Sequence, residues 1–157
     1  KRMKRRHLRD DVIQMCSRAR GYRPDIAYGA DIIAGFPTET EEMFQRTLDI
    51  VEECDLTFLH VFPYSEREGT PAARMPSVDK AIRKERAARL RNLGEKQVQK
   101  FLSQNINKDV HVIVEKDNFA RAENFALVKL EGQPEPGELL AVRTKAVQGN
   151  ALTAVAI

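Results

Sequence analysis

The chain has 157 residues, 42% hydrophobic and 31% charged, with a formal net charge of +3, enough for one mid-sized domain or two small ones and too few for a whole α/β barrel. No apolar run approaches the roughly 20 residues of a membrane-spanning helix. The basic start, residues 1–7, lacks the apolar stretch of a signal peptide, so the protein reads as cytoplasmic.

In chain order, the first expected element is a helix over residues 8–20. Leu8, Val12, Ile13, Cys16 and Ala19 recur there at helical spacing, and Gly21 offers a stop. Arg23-Pro24-Asp25 turns the chain into a strand over residues 26–34. Its second half, Asp31-Ile32-Ile33-Ala34, is nearly all apolar, as in a strand buried on both faces of a parallel sheet. Gly35-Phe36-Pro37 forces a turn, because Gly tolerates positive φ, Pro fixes its own φ, and Phe36 before Pro is pushed away from helix. Thr38 followed by Glu41 has capping-box spacing, so a helix over residues 39–54 should begin there, with free N–H groups facing the strand's carboxyl end. Parallel sheets hold their ligands at that end. A second strand over residues 57–62 stops at Pro63, and helix, strand, helix, strand is the pattern of a parallel sheet. His60 reads as a core or sheet-face residue rather than a ligand or base.

Residues 64–76 form a loop rich in turn residues, and Ser77 offers a cap for a long helix over residues 78–104. Its expected apolar stripe is Ile82, Leu90, Leu93, Phe101 and Leu102, with Gly94 a candidate kink. Charge is uneven: residues 1–100 carry 20 Lys and Arg against 16 Asp and Glu, whereas residues 101–157 carry 6 against 7. Much of the excess lies in residues 1–7 and in the helix, around Arg83, Lys84, Arg86, Arg89 and Arg91, where a solvated face is the ordinary reading. Cys16 and Cys54 have no metal-ligand or redox spacing and read as buried free thiols. Beyond Asn105 the period becomes alternating, which sets two domains, 1–104 and 105–157. Four or five short antiparallel strands in the second must close into a small barrel to hide their edges.

Three stretches carry a family resemblance: Met3-Lys4-Arg5-Arg6-His7; Gly29-Ala30-Asp31-Ile32-Ile33-Ala34-Gly35-Phe36-Pro37-Thr38-Glu39-Thr40; and Tyr64-Ser65-x-Arg67-x-Gly69-Thr70-Pro71-Ala72-Ala73. With them the chain resembles the radical S-adenosylmethionine (SAM) methylthiotransferases, most closely the branch acting on threonylcarbamoyladenosine of tRNA. The resemblance implies an α/β fold, a partial parallel (βα) barrel of the radical SAM type followed by a small antiparallel β-barrel of the TRAM, OB-like kind. It also implies SAM and two 4Fe-4S clusters in the full-length enzyme, and a tRNA anticodon stem-loop as partner. The cluster cysteines of the family are not in this sequence. The chain therefore reads as the carboxyl-terminal part of a longer enzyme, with no catalytic or metal-ligating residue of its own and inert alone in the radical step.

By the same resemblance Ile33, Gly35, Phe36 and Pro37 would face SAM. Asp31 would pair with a basic residue or the cofactor amine, or make a structural hydrogen bond. Arg5, Arg6 and Arg67 are candidates for tRNA phosphates or the cofactor carboxylate. On the small barrel, Lys116, Arg121 and Lys129 are candidates for the RNA backbone and Phe119 or Phe125 for stacking, although this segment is slightly acidic. Thr38 stands where many relatives have Gly. Glu66 and Glu68 flank Arg67 where many have Pro, and could hold it in local ion pairs. Competing readings are an isopentenyladenosine tRNA or ribosomal-protein aspartate methylthiotransferase, and a non-catalytic RNA-binding module.

Overall fold

The computed structural model describes residue 3 and residues 5–157; Lys1, Arg2 and Lys4 of the basic start lie outside the described residues. The chain divides into two compact units, Lys1–Gln97 and Val98–Ile157. No helix among the described residues is long and apolar enough to cross a membrane.

In the first unit, α1 (Arg9–Tyr22) leads to β1 (Tyr28–Ala34), α2 (Glu41–Glu53) and β2 (Leu56–Pro63). The two strands pair in parallel, with Asp31 beside His60 and Ile33 beside Phe62. A parallel pair needs a crossover, and α2 supplies it. One face of this sheet is covered: Ala34, Phe44, Val51, Leu56 and Leu90 form a core with the buried thiols Cys16 and Cys54. The other face is open. Asp31 and His60 are exposed, Ile33 is 37% exposed and Phe62 53%. The expectation of a strand buried on both faces is therefore corrected, because period-2 alternation gives β1 one covered and one bare side.

Helix boundaries differ from the expected ones where capping chemistry differs. Thr40, not Thr38, caps α2, its Oγ1 accepting from the Met43 N–H at 3.2 Å. Thr38 instead adopts a left-handed conformation, φ +67°, which suits glycine better than a β-branched residue. The loop after β2 holds a single turn of 3-10 helix, Pro71–Arg74, capped by Thr70. The long helix, α3 (Lys80–Ser103), is capped by Asp79, whose carboxylate accepts from the Ala81 N–H at 2.7 Å, while Ser77 donates to Glu66. α3 runs unbroken through Gly94, where a Cβ would lie 3.3 Å from Leu59, so this glycine serves close packing rather than a kink. Ile82 is 44% exposed and outside the stripe.

The second unit is a closed barrel of five strands, β3 (Asp109–Val114), β4 (Phe119–Ala122), β5 (Leu127–Leu130), β6 (Leu139–Gln148) and β7 (Ala151–Ala156), in the order β3-β4-β5-β7-β6. A closed five-strand barrel of this kind is consistent with a small TRAM or OB-like domain. Closure runs through one parallel pair, β5 with β7, which corrects the all-antiparallel expectation. Inward residues such as Val112, Val128, Val142 and Leu152 fill the interior, together with Leu102 from the last turn of α3. Thr144 is fully buried, its hydroxyl donating to Asn105 O at 2.7 Å and accepting from the Lys108 N–H at 2.9 Å.

Candidate functional site

The site is built where β1 and β2 end. The Tyr64 N–H donates to Ala34 O at 2.8 Å, continuing the ladder past both strands. The turn that follows β1 closes on itself through the Glu39 N–H and Phe36 O at 2.9 Å, and it is tied to the far loop by the Thr38 N–H and Pro76 O at 3.1 Å. Phe36 and Tyr64 then meet edge to face, with ring centroids 5.5 Å apart.

Between these walls lies a pocket of about 600 Å³, a size ordinary for a small-molecule site. Asp31, Ile33 and Phe36 from β1 and the turn after it line the pocket with Phe62 and Tyr64 from the end of β2. Arg5 and Arg67 are also in the lining, so two arginines from distant segments come to one cavity. The Tyr64 hydroxyl is buried away from solvent and makes no hydrogen bond among the described residues.

Other anticipated residues stand elsewhere. Pro37 is fully buried and Gly35 is not part of the lining. The side of Gly35 on which a Cβ would stand is filled by α3, with the Arg83 Cγ only 2.4 Å from that position. Arg6 is exposed and outside the pocket. Neither Glu66 nor Glu68 forms an ion pair with Arg67 among the described residues; Glu66 accepts from Ser77 at 3.0 Å.

The α2 N-terminus is occupied by the chain's own groups. The Glu39 Oε1 accepts from the Gly35 N–H at 3.0 Å, and Glu41 and Glu42 lie in the first turn of α2. Part of the basic run of α3 is engaged inside the unit, which corrects its reading as a solvated face for Arg83, Arg86 and Arg89, while Lys84 and Arg91 stay exposed. Arg83 donates to Tyr64 O and Arg91 to Val61 O. Arg86, whose side chain is 6% exposed, pairs with Glu39 at 2.9 Å, and Arg89 with Glu41 at 2.6 Å. The Arg89 hydrogen bond holds the Glu41 carboxyl below the usual range. Glu39, Tyr64, Arg83 and Arg86 are the residues that sequence reading missed. An acidic turn followed by a basic helix was the available signal, but nothing local pairs groups 47 residues apart.

On the barrel, Lys116 and Phe119 border a shallow apolar hollow with Leu127 and Pro136. Phe119 sits opposite Lys129 in the β4–β5 register, and Lys129 is exposed. Arg121 is engaged by both Glu115 oxygens at 3.2 Å and donates to Phe125 O at 3.3 Å. Phe125 is 67% exposed and has φ +67°.

An iron–sulfur cluster does not fit the described residues: no group of three metal-binding side chains is present, and both thiols are buried in the first core. Burial pushes the Cys54 thiol up to about 11, away from the thiolate a cluster needs. The residues around the pocket, apolar Ile33 and Phe36 with Asp31, Arg5 and Arg67, are of the kinds a flat, polar-tailed cofactor such as SAM requires.

The fold and site thus define an α/β unit with a ligand-sized pocket at the carboxyl ends of parallel strands, accompanied by a small closed β-barrel. No family model matches the chain. It is 56% identical to the threonylcarbamoyladenosine tRNA methylthiotransferase MtaB of Rickettsia prowazekii over 131 residues, 83% of this chain and 31% of the relative. It is 36% identical to a probable threonylcarbamoyladenosine tRNA methylthiotransferase of Methanocaldococcus jannaschii over 143 residues, 91% of this chain and 33% of the relative. It is also 35% identical to the tRNA-2-methylthio-N(6)-dimethylallyladenosine synthase of Roseobacter denitrificans over 164 residues, 100% of this chain and 37% of the relative. Its homologues are methylthiotransferases, and the chain belongs to their family as a stretch spanning about a third of their length.

Proposed function

We propose that this chain works as part of a radical SAM enzyme that adds a methylthio group to threonylcarbamoyladenosine beside the tRNA anticodon. The observation that carries the reading is the 56% identity to a relative named for that activity. In this reading the bare face of β1 and β2 lines the interior of a larger parallel barrel, whose other strands and cluster cysteines lie in sequence outside this chain.

SAM, when bound, supplies the radical and methyl chemistry. The residues of this chain bind and orient. Ile33 and Phe36 cover the adenine, and Asp31 receives the cofactor amine. Arg67 and Arg5 offer bidentate forks to a carboxylate or phosphate. On the barrel, Lys116 and Lys129 neutralise RNA phosphates and Phe119 or the exposed Phe125 stacks a base, while Arg121 contributes only if Glu115 releases it.

Mass spectrometry of tRNA nucleosides from cells lacking the gene and from cells in which it is restored tests this. Loss and return of the methylthio form of threonylcarbamoyladenosine alone supports the assignment. Loss of methylthio-dimethylallyladenosine instead moves the substrate to the other class of relatives. Unchanged tRNA refutes the reading and leaves a protein substrate or a binding module.

A further inference from the structure

Arg83 and Arg86 lie three residues apart on α3 and therefore on one face of it. That face meets the two segments that form the pocket walls. The stem of Arg83 crosses Gly35, and its guanidinium donates to Tyr64 O at 3.0 Å and stands 5.9 Å from the Tyr64 ring. Arg86, 5% exposed, donates through one nitrogen to Glu39 O at 3.0 Å and to Glu39 Oε1 at 2.9 Å. The same Oε1 accepts the Gly35 N–H at 3.0 Å. A relay thus runs from Arg86 through the Glu39 carboxylate to the Gly35 amide, and the next residue is Phe36 in the pocket wall.

We propose that Arg83 and Arg86 are positioning residues for the pocket, a pair of arginines on one helix that fixes the edge-to-face contact of Phe36 and Tyr64 in its wall. Neither lines the pocket, so neither touches a ligand there. Both act through backbone: Arg83 through the Tyr64 carbonyl, Arg86 through the turn that orients Phe36. A planar guanidinium can hold a carbonyl and a carboxylate together, whereas an ammonium on a flexible stem does not fix their relative geometry. The inference rests on the reading above that this pocket takes SAM.

The test uses the full 157-residue chain, labelled for amide NMR, with Arg86→Met, Arg86→Lys and Arg83→Met as variants and the exposed Lys84→Ala as the surface control. Two readouts are taken at a temperature where each variant is folded by circular dichroism: hydrogen exchange of the Gly35 amide without ligand, and the shift of the Ile33, Gly35 and Phe36 signals on titration with S-adenosylhomocysteine. The expected result is at least tenfold faster Gly35 exchange and at least tenfold weaker binding in Arg86→Met, no rescue by Arg86→Lys, weakened binding with unchanged Gly35 exchange in Arg83→Met, and no effect of Lys84→Ala. Folded Arg86 variants with wild-type Gly35 exchange and affinity overturn the proposal. If Arg86→Met does not fold, Arg86→Lys and Arg83→Met decide: wild-type behaviour in both overturns it. If the wild-type chain shows no shift with the ligand, the cofactor reading of the pocket fails, while Gly35 exchange still decides whether Arg86 sets the turn.

Discussion

Replacing Gly35 with alanine perturbs the site at one point and by an amount the structure lets one work out. Gly35 has φ +74°, a conformation that costs an L-residue roughly 1–2 kcal/mol. The new Cβ would stand 2.4 Å from the Arg83 Cγ, 3.0 Å from its Cβ and 3.1 Å from its Cα. The side-chain atom can swing away, but the α3 backbone cannot without moving the helix, and such overpacking costs about 1–3 kcal/mol. Together these give a loss of about 2–5 kcal/mol, large against the roughly 5–15 kcal/mol that holds a domain together. Urea unfolding followed by tyrosine fluorescence is the suitable assay, because the chain has no tryptophan and all three tyrosines, Tyr22, Tyr28 and Tyr64, lie in the first unit. With a slope of about 1–2 kcal/mol per molar, the midpoint should fall by more than about 1 M. Gly35→Ala with Arg83→Ala should recover only part of the loss, since the backbone contact and the positive φ remain. Gly29→Ala, whose Cβ would meet nothing closer than 3.6 Å, should stay near wild type. A Gly35→Ala midpoint indistinguishable from wild type would refute this account of the turn.

In the barrel, Arg143 hydrogen-bonds both oxygens of Asp109 at 2.6 and 2.7 Å and holds its carboxyl below the usual range. A depressed carboxyl stabilises fully above its unfolded value of about 3.9 and loses that contribution as pH falls through the lower folded value. Wild type should therefore melt higher than Asp109→Asn at neutral pH by circular dichroism, and the gap should close in strong acid; a gap constant with pH would contradict the ion pair. Cys16 and Cys54 are 2% and 1% exposed, and the Cys54 thiol is pushed up to about 11. Neither should react with a thiol reagent at pH 8 in the native protein, and both should react in guanidinium; prompt labelling of the native chain would show that the core opens.

Alternation and helical period made both strands of the first unit, the crossover, α1, α3 and four of the five barrel strands legible in the sequence, because those signals are local; β4, only four residues long, was not. The bare face of β1 was not, since Asp31-Ile32-Ile33-Ala34 reads the same whether one side or both are covered. The cap shifted from Thr38 to Thr40 because Glu39 is committed to Gly35 and Arg86, and a contact 47 residues away leaves no mark on a four-residue window. For the site, motif residues named Arg5, Asp31, Ile33, Phe36 and Arg67, which the fold brings to one cavity. The arginines behind that cavity were hidden by a compositional habit: a run of basic side chains on a helix is usually solvated, and only tertiary packing reveals carbonyls and carboxylates placed to receive them.

Leu102 bears on how the protein can be divided in the laboratory. It is 2% exposed and belongs to the barrel's interior, with Val98 and Phe101 packed beside it, although all three precede the first strand and look like ordinary helix. A barrel excised at residue 105, where alternation begins, would lack this plug. The void left by one buried leucine costs about 2–5 kcal/mol, much of what a domain of that size has. An isolated barrel that keeps its tertiary signals should therefore start upstream of Val98 and carry the end of a helix that gives no hint, in sequence, of which fold it completes.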